Sequence, residues 1–141
     1  MYRAEQEAAI RSRPGTGVQD GGLDQDYHIF TRLFWQNGYL SDAEFSLCMR
    51  LYDLLRKILP PPDCVIKLNV PLDLLVERRR ARDRKIDIAG NADLPKIEAL
   101  FQEWFTTERP PCPILEIEPV EHDVQFSNSI EEILNFIKIS G

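Results

Sequence analysis

The segment from Cys64 to Val76 most constrains the fold of this chain. The apolar run Cys64–Val70 predicts a β-strand, and Pro71 then ends the strand and opens a helix. The apolar stripe of that helix is formed by Leu72, Leu75 and Val76. A strand that leads through a tight turn into a helix is the building block of a parallel α/β sheet, in which ligands bind beyond the carboxyl ends of the strands.

A basic cluster lies at the end of the same helix. Arg78 and Arg82 are one helical turn apart, and Arg84 follows shortly after. Guanidinium groups stay charged at any working pH and match the geometry of phosphate oxygens, so three that converge suit a polyphosphate ligand. A solvated basic helix end is the alternative, and the cluster alone does not decide between the two.

The residues around this cluster resemble the lid of the deoxynucleoside kinases, whose usual pattern is L-x-E-R-x-x-x-R-G-R-x-x-E. Two positions depart from the pattern, since Asp83 replaces its glycine and Asp87 replaces its last glutamate. The matching residues are Leu75, Glu77, Arg78, Arg82 and Arg84.

Residues 18–30 resemble a second block of the same family, V-x-[DE]-R-[ST]-x-x-x-D-x-x-I-F. Asp20 and Asp26 match its two acidic positions. Gly21 stands where the family has its catalytic-site arginine, and Gly22 replaces the serine or threonine. Further matches follow in the family's order at 38–41, 51–55, 61–63 and 103–104. Their ordered occurrence favours the family over a solvated basic helix.

The resemblance implies an α/β fold with a P-loop kinase-like parallel sheet flanked by helices, but an incomplete one. The family begins with a strand, a G-x-x-x-x-G-K-[ST] loop and a helix, and no such motif occurs in this sequence. The glutamate that is the family's general base has no counterpart either. We therefore expect the C-terminal two-thirds of a kinase, without the central strand that lies between strands near Gly17–Asp20 and at Cys64–Val70.

The resemblance divides the chain into two regions. Residues 1–15 lie outside the resemblance, and their polar composition predicts a poorly structured segment, a frayed helix or a linker. Residues 16–141 form the partial kinase-like domain, either truncated or degenerate. To close its sheet, such a domain must pair its edges in another way or take a strand from another chain; otherwise it folds poorly.

The family reaction, with ATP and Mg²⁺, transfers the γ-phosphoryl group to the 5′-hydroxyl of a deoxynucleoside. By resemblance, Arg78, Arg82 and Arg84 would offset charge on the transferring oxygens, and the first two would also contact ATP.

The resemblance also assigns roles to three acidic residues. Asp87 would accept a hydrogen bond from the sugar 3′-hydroxyl, and Asp20 would lie near the magnesium ion and the 5′-oxygen. Asp26 matches an aspartate that helps to read the base, although an acid in the first turn of a helix accounts for it equally well.

Composition narrows the alternatives for this chain of 141 residues. A net charge of -6 and a pI near 4.9 argue against a general nucleic-acid binder. No apolar run is long enough for a membrane span. Three cysteines without C-x-x-C spacing argue against disulfides and zinc and fit a reducing cytoplasm. His28 and His122 belong to no metal-ligand pattern.

The remaining helices have legible boundaries. Ser41 and Glu44 form a capping box for a helix that runs to Pro60, and Asp93 caps a later one. The first of these helices has an apolar stripe that is either core or a dimer surface, and kinases of this family pair through helices in this region, so we expect a homodimer or oligomer. The stripe consists of Phe45, Cys48, Leu51, Tyr52, Leu55 and Ile58.

The C-terminal part completes the alternation of strands and helices. Residues 113–117 predict a short strand, and Ser129 with Glu132 forms a capping box for a last helix. The predicted buried face of that helix consists of Ile130, Ile133, Leu134 and Ile137.

The sequence therefore predicts a deoxynucleoside kinase-like chain that has a nucleotide lid but no phosphate loop, and that is inactive alone. One alternative is a non-catalytic module that binds nucleotides or a partner. Another is an unrelated α/β domain whose arginines meet an anionic surface. The sequence does not specify which deoxynucleoside is bound.

Overall fold

A computed structural model of this chain describes residues 2–82, 90–118 and 126–140, and for residues 78–82 and 91 it describes the backbone alone. The chain divides into two compact units. Unit 1 comprises Met1–Pro60 and Pro95–Glu108, and unit 2 comprises Pro61–Leu94 and Arg109–Gly141. Each unit thus combines two separate stretches of the sequence.

The described elements alternate between helices and two short strands. In chain order they are α1 (Tyr2–Arg11), α2 (Leu23–Gln25), a first π-helical segment (Asp26–Thr31), α3 (Arg32–Gln36), α4 (Asp42–Ile58), β1 (Val65–Leu68), α5 (Leu72–Arg82), a 3₁₀ turn (Asn91–Asp93), α6 (Leu94–Glu103), a second π-helical segment (Trp104–Glu108), β2 (Ile114–Ile117), a further 3₁₀ turn (Ser127–Ser129) and α7 (Ile130–Ser140). Within the described ranges, no helix is long and apolar enough to cross a membrane.

The core of unit 1 forms where the two π-helical segments meet. Ile29 and Leu33 are one helical turn apart and are fully buried. The ring of His28 stacks on Trp104 with centroids 5.1 Å apart and nearly parallel planes. The other buried apolar side chains of this unit are Ala4, Leu23 and Leu100. Fully burying one such aliphatic side chain contributes about 1.5–3 kcal/mol.

The N-terminal segment is helical in the structure, whereas its composition predicts little structure for residues 1–15. Helix α1 spans ten residues and buries Ala4 and Glu7. Glu7 accepts hydrogen bonds from Arg56, 49 residues along the chain, at 2.7 and 3.2 Å. This long-range ion pair supports α1, and local sequence patterns do not reveal it. A domain boundary at residue 16 stays a prediction.

Helix α4 begins as the sequence predicts. Ser41 Oγ accepts a hydrogen bond from the Glu44 backbone N–H at 3.3 Å, and the Glu44 carboxylate accepts one from the Ser41 N–H at 2.8 Å, so the capping box is confirmed. The predicted apolar stripe of α4 divides into two parts: Phe45, Cys48, Tyr52 and Leu55 are half-buried, whereas Leu51 and Ile58 are exposed, and no residue of this helix is fully buried.

Unit 2 contains the predicted parallel sheet. Strands β1 and β2 pair in parallel, with Val65 opposite Ile114 and Leu68 opposite Ile117. Helix α5 begins four residues after β1, so the predicted strand, turn and helix are confirmed. This is a partial form of the P-loop kinase-like α/β fold.

The strand predicted near Gly17–Asp20 does not form. These residues belong to unit 1, and no described strand lies beside them to provide hydrogen bonds, so the segment connects α1 and α2 without regular structure. In the described residues the sheet consists of β1 and β2 alone.

Helix α7 differs from its prediction in burial. The predicted buried face is wrong for Ile130 and Leu134, which are 53% and 52% exposed, while Ile133 and Ile137 are half-buried.

Candidate functional site

Two of the predicted site residues meet around an arginine of α1 in unit 1. Arg3 Nη1 donates a hydrogen bond to the backbone oxygen of Asp20 at 3.0 Å. Arg3 Nε lies 3.9 Å from Asp26 Oδ2, and these two side chains are 38% and 46% exposed. Arg3 was not predicted as a site residue, because it lies in the segment expected to be outside the domain.

The turn before Asp26 needs its two glycines. Gly21 has a φ of 70° and Gly22 a φ of 155°, values that L side chains rarely adopt. A side chain at Gly21 would collide with the Gln25 side-chain oxygen and begin 3.8 Å from Arg3 Nη2. Where the resemblance puts the family's catalytic-site arginine, this chain therefore has a tight turn, and a side chain there would displace the end of the Gln25 side chain.

Asp26 is not the N-cap of its helix. The helical stretch begins at Leu23, with Gly22 as the cap residue, so Asp26 lies one turn inside. Burial raises the pKa of its carboxyl group, and the nearby Arg3 charge lowers it in part. A carboxyl group whose pKa is shifted by burial and by a specific arginine is a candidate functional group.

A buried ionic cluster supports both segments that carry this pair. Arg56 Nε donates to Asp24 Oδ1 at 2.7 Å, and the guanidinium also binds both carboxylate oxygens of Glu7. Tyr52 donates its hydroxyl hydrogen to Asp24 at 2.8 Å. Burial and the Asp24 charge raise the pKa of Tyr52, so it remains a donor. Burial lowers the pKa of Arg56, but the two carboxylates raise it overall.

A second cluster joins the π-helical segments. His28 Nε2 lies 3.1 Å from the Tyr52 hydroxyl oxygen, and His28 Nδ1 lies 2.8 Å from Glu108 Oε2. Arg32 pairs with Glu103 at 3.1 Å and with Glu108. Burial lowers the pKa of His28, while the Glu108 charge partly raises it. Its partners lie 24 and 80 positions away, so no local pattern could indicate that this histidine is part of the packing.

A cleft of about 250 Å³ opens beside this second cluster. Trp35 and Phe45 stack along it with ring centroids 4.6 Å apart. None of the predicted site residues lines it. The lining residues are Arg32, Trp35, Gln36, Phe45 and Glu103.

The lid residues belong to unit 2. The backbone places Arg78 and Arg82 one turn apart at the end of α5, as the sequence predicts. Arg84 and Asp87 lie outside the described residues. The convergence of the three arginines stays a prediction.

The carboxyl end of the sheet carries a polar cluster. Lys67 Nζ donates to Glu116 at 3.0 Å, and Asn69 Nδ2 bridges Glu116 at 3.0 Å and Glu118 at 2.6 Å. Hydrogen bonds from Asn69 and Lys67 lower the pKa of Glu116. Where side chains are described, no three His, Cys, Asp or Glu residues are grouped so as to hold a metal ion.

Comparison with known proteins decides the family. A family model described as deoxynucleoside kinase matches residues 1–140. The chain belongs to the deoxynucleoside kinase family. The match includes α1 and therefore Arg3, which the shorter sequence resemblance left out.

Two curated proteins are similar to this member of the deoxynucleoside kinase family. A deoxyadenosine/deoxycytidine kinase of Bacillus subtilis (strain 168) is 23% identical over 96% of the chain, and a deoxyadenosine kinase of Dictyostelium discoideum is 26% identical over 72% of it. The chain spans 64% of the length of the first protein, and the second match covers 40% of that relative.

We predict that Asp26→Asn leaves the fold at least as stable as the native chain at pH 7. Burial raises the folded-state pKa of Asp26 above its unfolded value. The associated stabilisation is complete below the unfolded pKa and is lost as the pH rises through the folded pKa. At pH 7 the ionised carboxylate therefore opposes folding, and the neutral amide removes this cost.

Urea unfolding of both proteins, from pH 7 down to a pH below the unfolded-state pKa of Asp26, measures this difference. The advantage of the amide should shrink as the pH falls, because native Asp26 then takes up its proton. A variant that is less stable by the same amount at every pH would show that Asp26 serves the fold instead.

Proposed function

We propose that this chain carries the nucleoside-recognition and lid residues of a deoxynucleoside kinase. The observation that carries the proposal is the Arg3–Asp26 pair, in a chain that matches the family over residues 1–140. The pair is partly exposed and lies beside Asp20, which the resemblance puts near the 5′-oxygen.

The chemistry of this pair suits the edge of a nucleobase. The Asp26 carboxylate accepts hydrogen bonds from an exocyclic amino group, and the Arg3 guanidinium donates to ring nitrogens or carbonyl oxygens. Deoxyadenosine is the first ligand to consider, because the names of both relatives include it.

The lid would supply the charged residues that act on the phosphates during phosphoryl transfer. In the proposal these roles are those of the resemblance: Arg78, Arg82 and Arg84 offset charge on the phosphates of ATP, and Asp87 binds the sugar 3′-hydroxyl. By the same resemblance, Asp20 of unit 1 would lie near Mg²⁺. The sequence contains no G-x-x-x-x-G-K-[ST] motif for a phosphate loop. We expect the chain to act in the cytoplasm.

A second candidate function is a nucleotide-binding module without turnover. It is favoured by Gly21, which replaces the catalytic-site arginine of the family and whose backbone conformation disfavours any side chain. The two candidates share the nucleoside site and differ in whether the chain takes part in catalysis once a phosphate loop is present.

We predict that the chain binds deoxyadenosine but does not phosphorylate it. Phosphoryl transfer depends on positioning and charge, and this chain has neither the phosphate cradle nor its lysine. Calorimetry should show binding, and Asp26→Ala should weaken it about 10- to 100-fold, since a hydrogen bond to a charged group contributes about 1.5–3 kcal/mol.

Asp63→Ala is the matched control, because Asp63 is an exposed aspartate of unit 2 that should not affect binding. Equal losses in the two variants, or no binding by the native chain, would refute the nucleoside site. Radiolabel transfer from ATP that Arg82→Ala abolishes would refute the expected inactivity.

We further propose that α4 pairs with α4 of a second copy to form a homodimer. Its exposed side chains recur at spacings of four, three and four residues, the a/d repeat with which helices pack into a two-helix seam. An exposed apolar stripe of this length is typical of a protein interface. The seam consists of Leu47, Leu51, Leu54 and Ile58.

We predict that Leu54→Glu converts the dimer to a monomer in sedimentation equilibrium, because paired carboxylates would be buried in the seam. Leu134→Glu on α7 is the matched control, since Leu134 is about as exposed but lies outside the seam. A native monomer, or dissociation caused by both variants alike, would contradict the α4 interface.

A further inference from the structure

Arg56 contacts two separate segments of unit 1 from one side of α4. Its Nη1 and Nη2 atoms donate to the two carboxylate oxygens of Glu7, and its Nε atom donates to Asp24. The three side chains are only 14%, 11% and 19% exposed.

The two carboxylates flank the proposed nucleoside pair. Glu7 lies one helical turn after Arg3 on α1, and Asp24 lies two residues before Asp26. We propose that Arg56 is a positioning residue of the nucleoside site, fixing α1 through Glu7 and the turn before Asp26 through Asp24, so that Arg3 and Asp26 stay side by side. This inference rests on the proposed function for its role in recognition.

Only arginine fits this position. The guanidinium is planar and has five N–H donors, so one side chain can bind Glu7 through two nitrogens and Asp24 through the third. The same group also donates to the backbone oxygen of Pro60 at 3.2 Å. A lysine would keep the charge, but its single ammonium group cannot reach both carboxylates with the same geometry.

The charges of the cluster are nearly balanced. Glu7 and Asp24 carry two negative charges, Arg56 carries one positive charge, and Arg11 Nη2 lies 3.5 Å from Glu7 Oε1. Tyr52 adds a neutral donor to Asp24. Arg56 is paired with both carboxylates, so a substitution at Arg56 would weaken the attachment of α1 and of the turn at the same time.

A positioning role differs from a purely structural role in what it changes at Asp26. Arg3 lowers the pKa of the Asp26 carboxyl group against the effect of burial. If Arg56 holds α1 in place, loosening it moves Arg3 away, and the Asp26 carboxyl should then bind its proton more tightly. A loss of global stability alone leaves the native-state titration of Asp26 unchanged.

The test compares Arg56→Lys with Arg32→Lys in the full chain. Arg32 is a matched control, because its side chain is also largely buried and also binds two carboxylates, those of Glu103 and Glu108, but neither partner flanks the Arg3–Asp26 pair. The first readout is the titration of the Asp26 carboxyl carbon by NMR. The second is the ratio of calorimetric affinities for deoxyadenosine and deoxyguanosine.

We expect Arg56→Lys to shift the Asp26 titration to higher pH and to change the affinity ratio several-fold, while Arg32→Lys changes neither. An unshifted Asp26 titration in Arg56→Lys, or equal shifts in both variants, would overturn the positioning role. The NMR readout needs no ligand. A shifted titration in a chain that binds no deoxynucleoside would therefore support the geometry and refute the proposed function.

Discussion

The buried ion pairs of Arg56 are the interaction on which the rest of unit 1 depends. Helix α1 is polar, short and far from α4 in sequence, and an isolated helix of ten residues is marginal in water. Its attachment through Glu7 places Arg3 beside Asp20 and Asp26. Removing one member of such a buried cluster leaves an uncompensated charge, so the cluster is costly to break.

Helix α4 presents different side chains on its two sides. Tyr52 and Arg56 contact the ionic cluster beside the candidate site. Leu51 and Leu54, on another side of the helix, are exposed. The helix is fixed at its start by the capping box at Ser41. A homodimer through the exposed side would bring the supports of two nucleoside sites close to a common interface, and it would stiffen the helix that carries Arg56.

The sequence predicted the local elements well. Periodicity and caps located α4, the β1–α5 unit and β2, because hydrophobic spacing and end signals act over a few residues. Asp20 and Asp26 were predicted from family motifs, and the structure brings both to Arg3. Arg3 itself was missed, since its partners lie 17 and 23 residues away and its own segment has no apolar pattern.

Burial was predicted less well than helix position. Ile130 and Leu134 have helical spacing that indicates a buried face, but spacing does not reveal how much surface the neighbouring elements offer. His28 shows the reverse case, because an isolated polar residue became part of the core through Trp104 and Glu108. The glycines at 21 and 22 departed from the family motif, and only the backbone angles show that they form a turn.

Hydrogen exchange of the α1 amides would show whether the Glu7–Arg56 ion pair holds α1 in unit 1. If Glu7 and Arg56 hold α1 in place, the amides of the second half of α1 should be protected about as well as those of α4. Arg56→Lys should lower the protection of the α1 amides more than that of the α4 amides. Exchange of the α1 amides at the rate of an unstructured peptide, in a chain whose α4 amides are protected, would show that the ion pair does not hold α1.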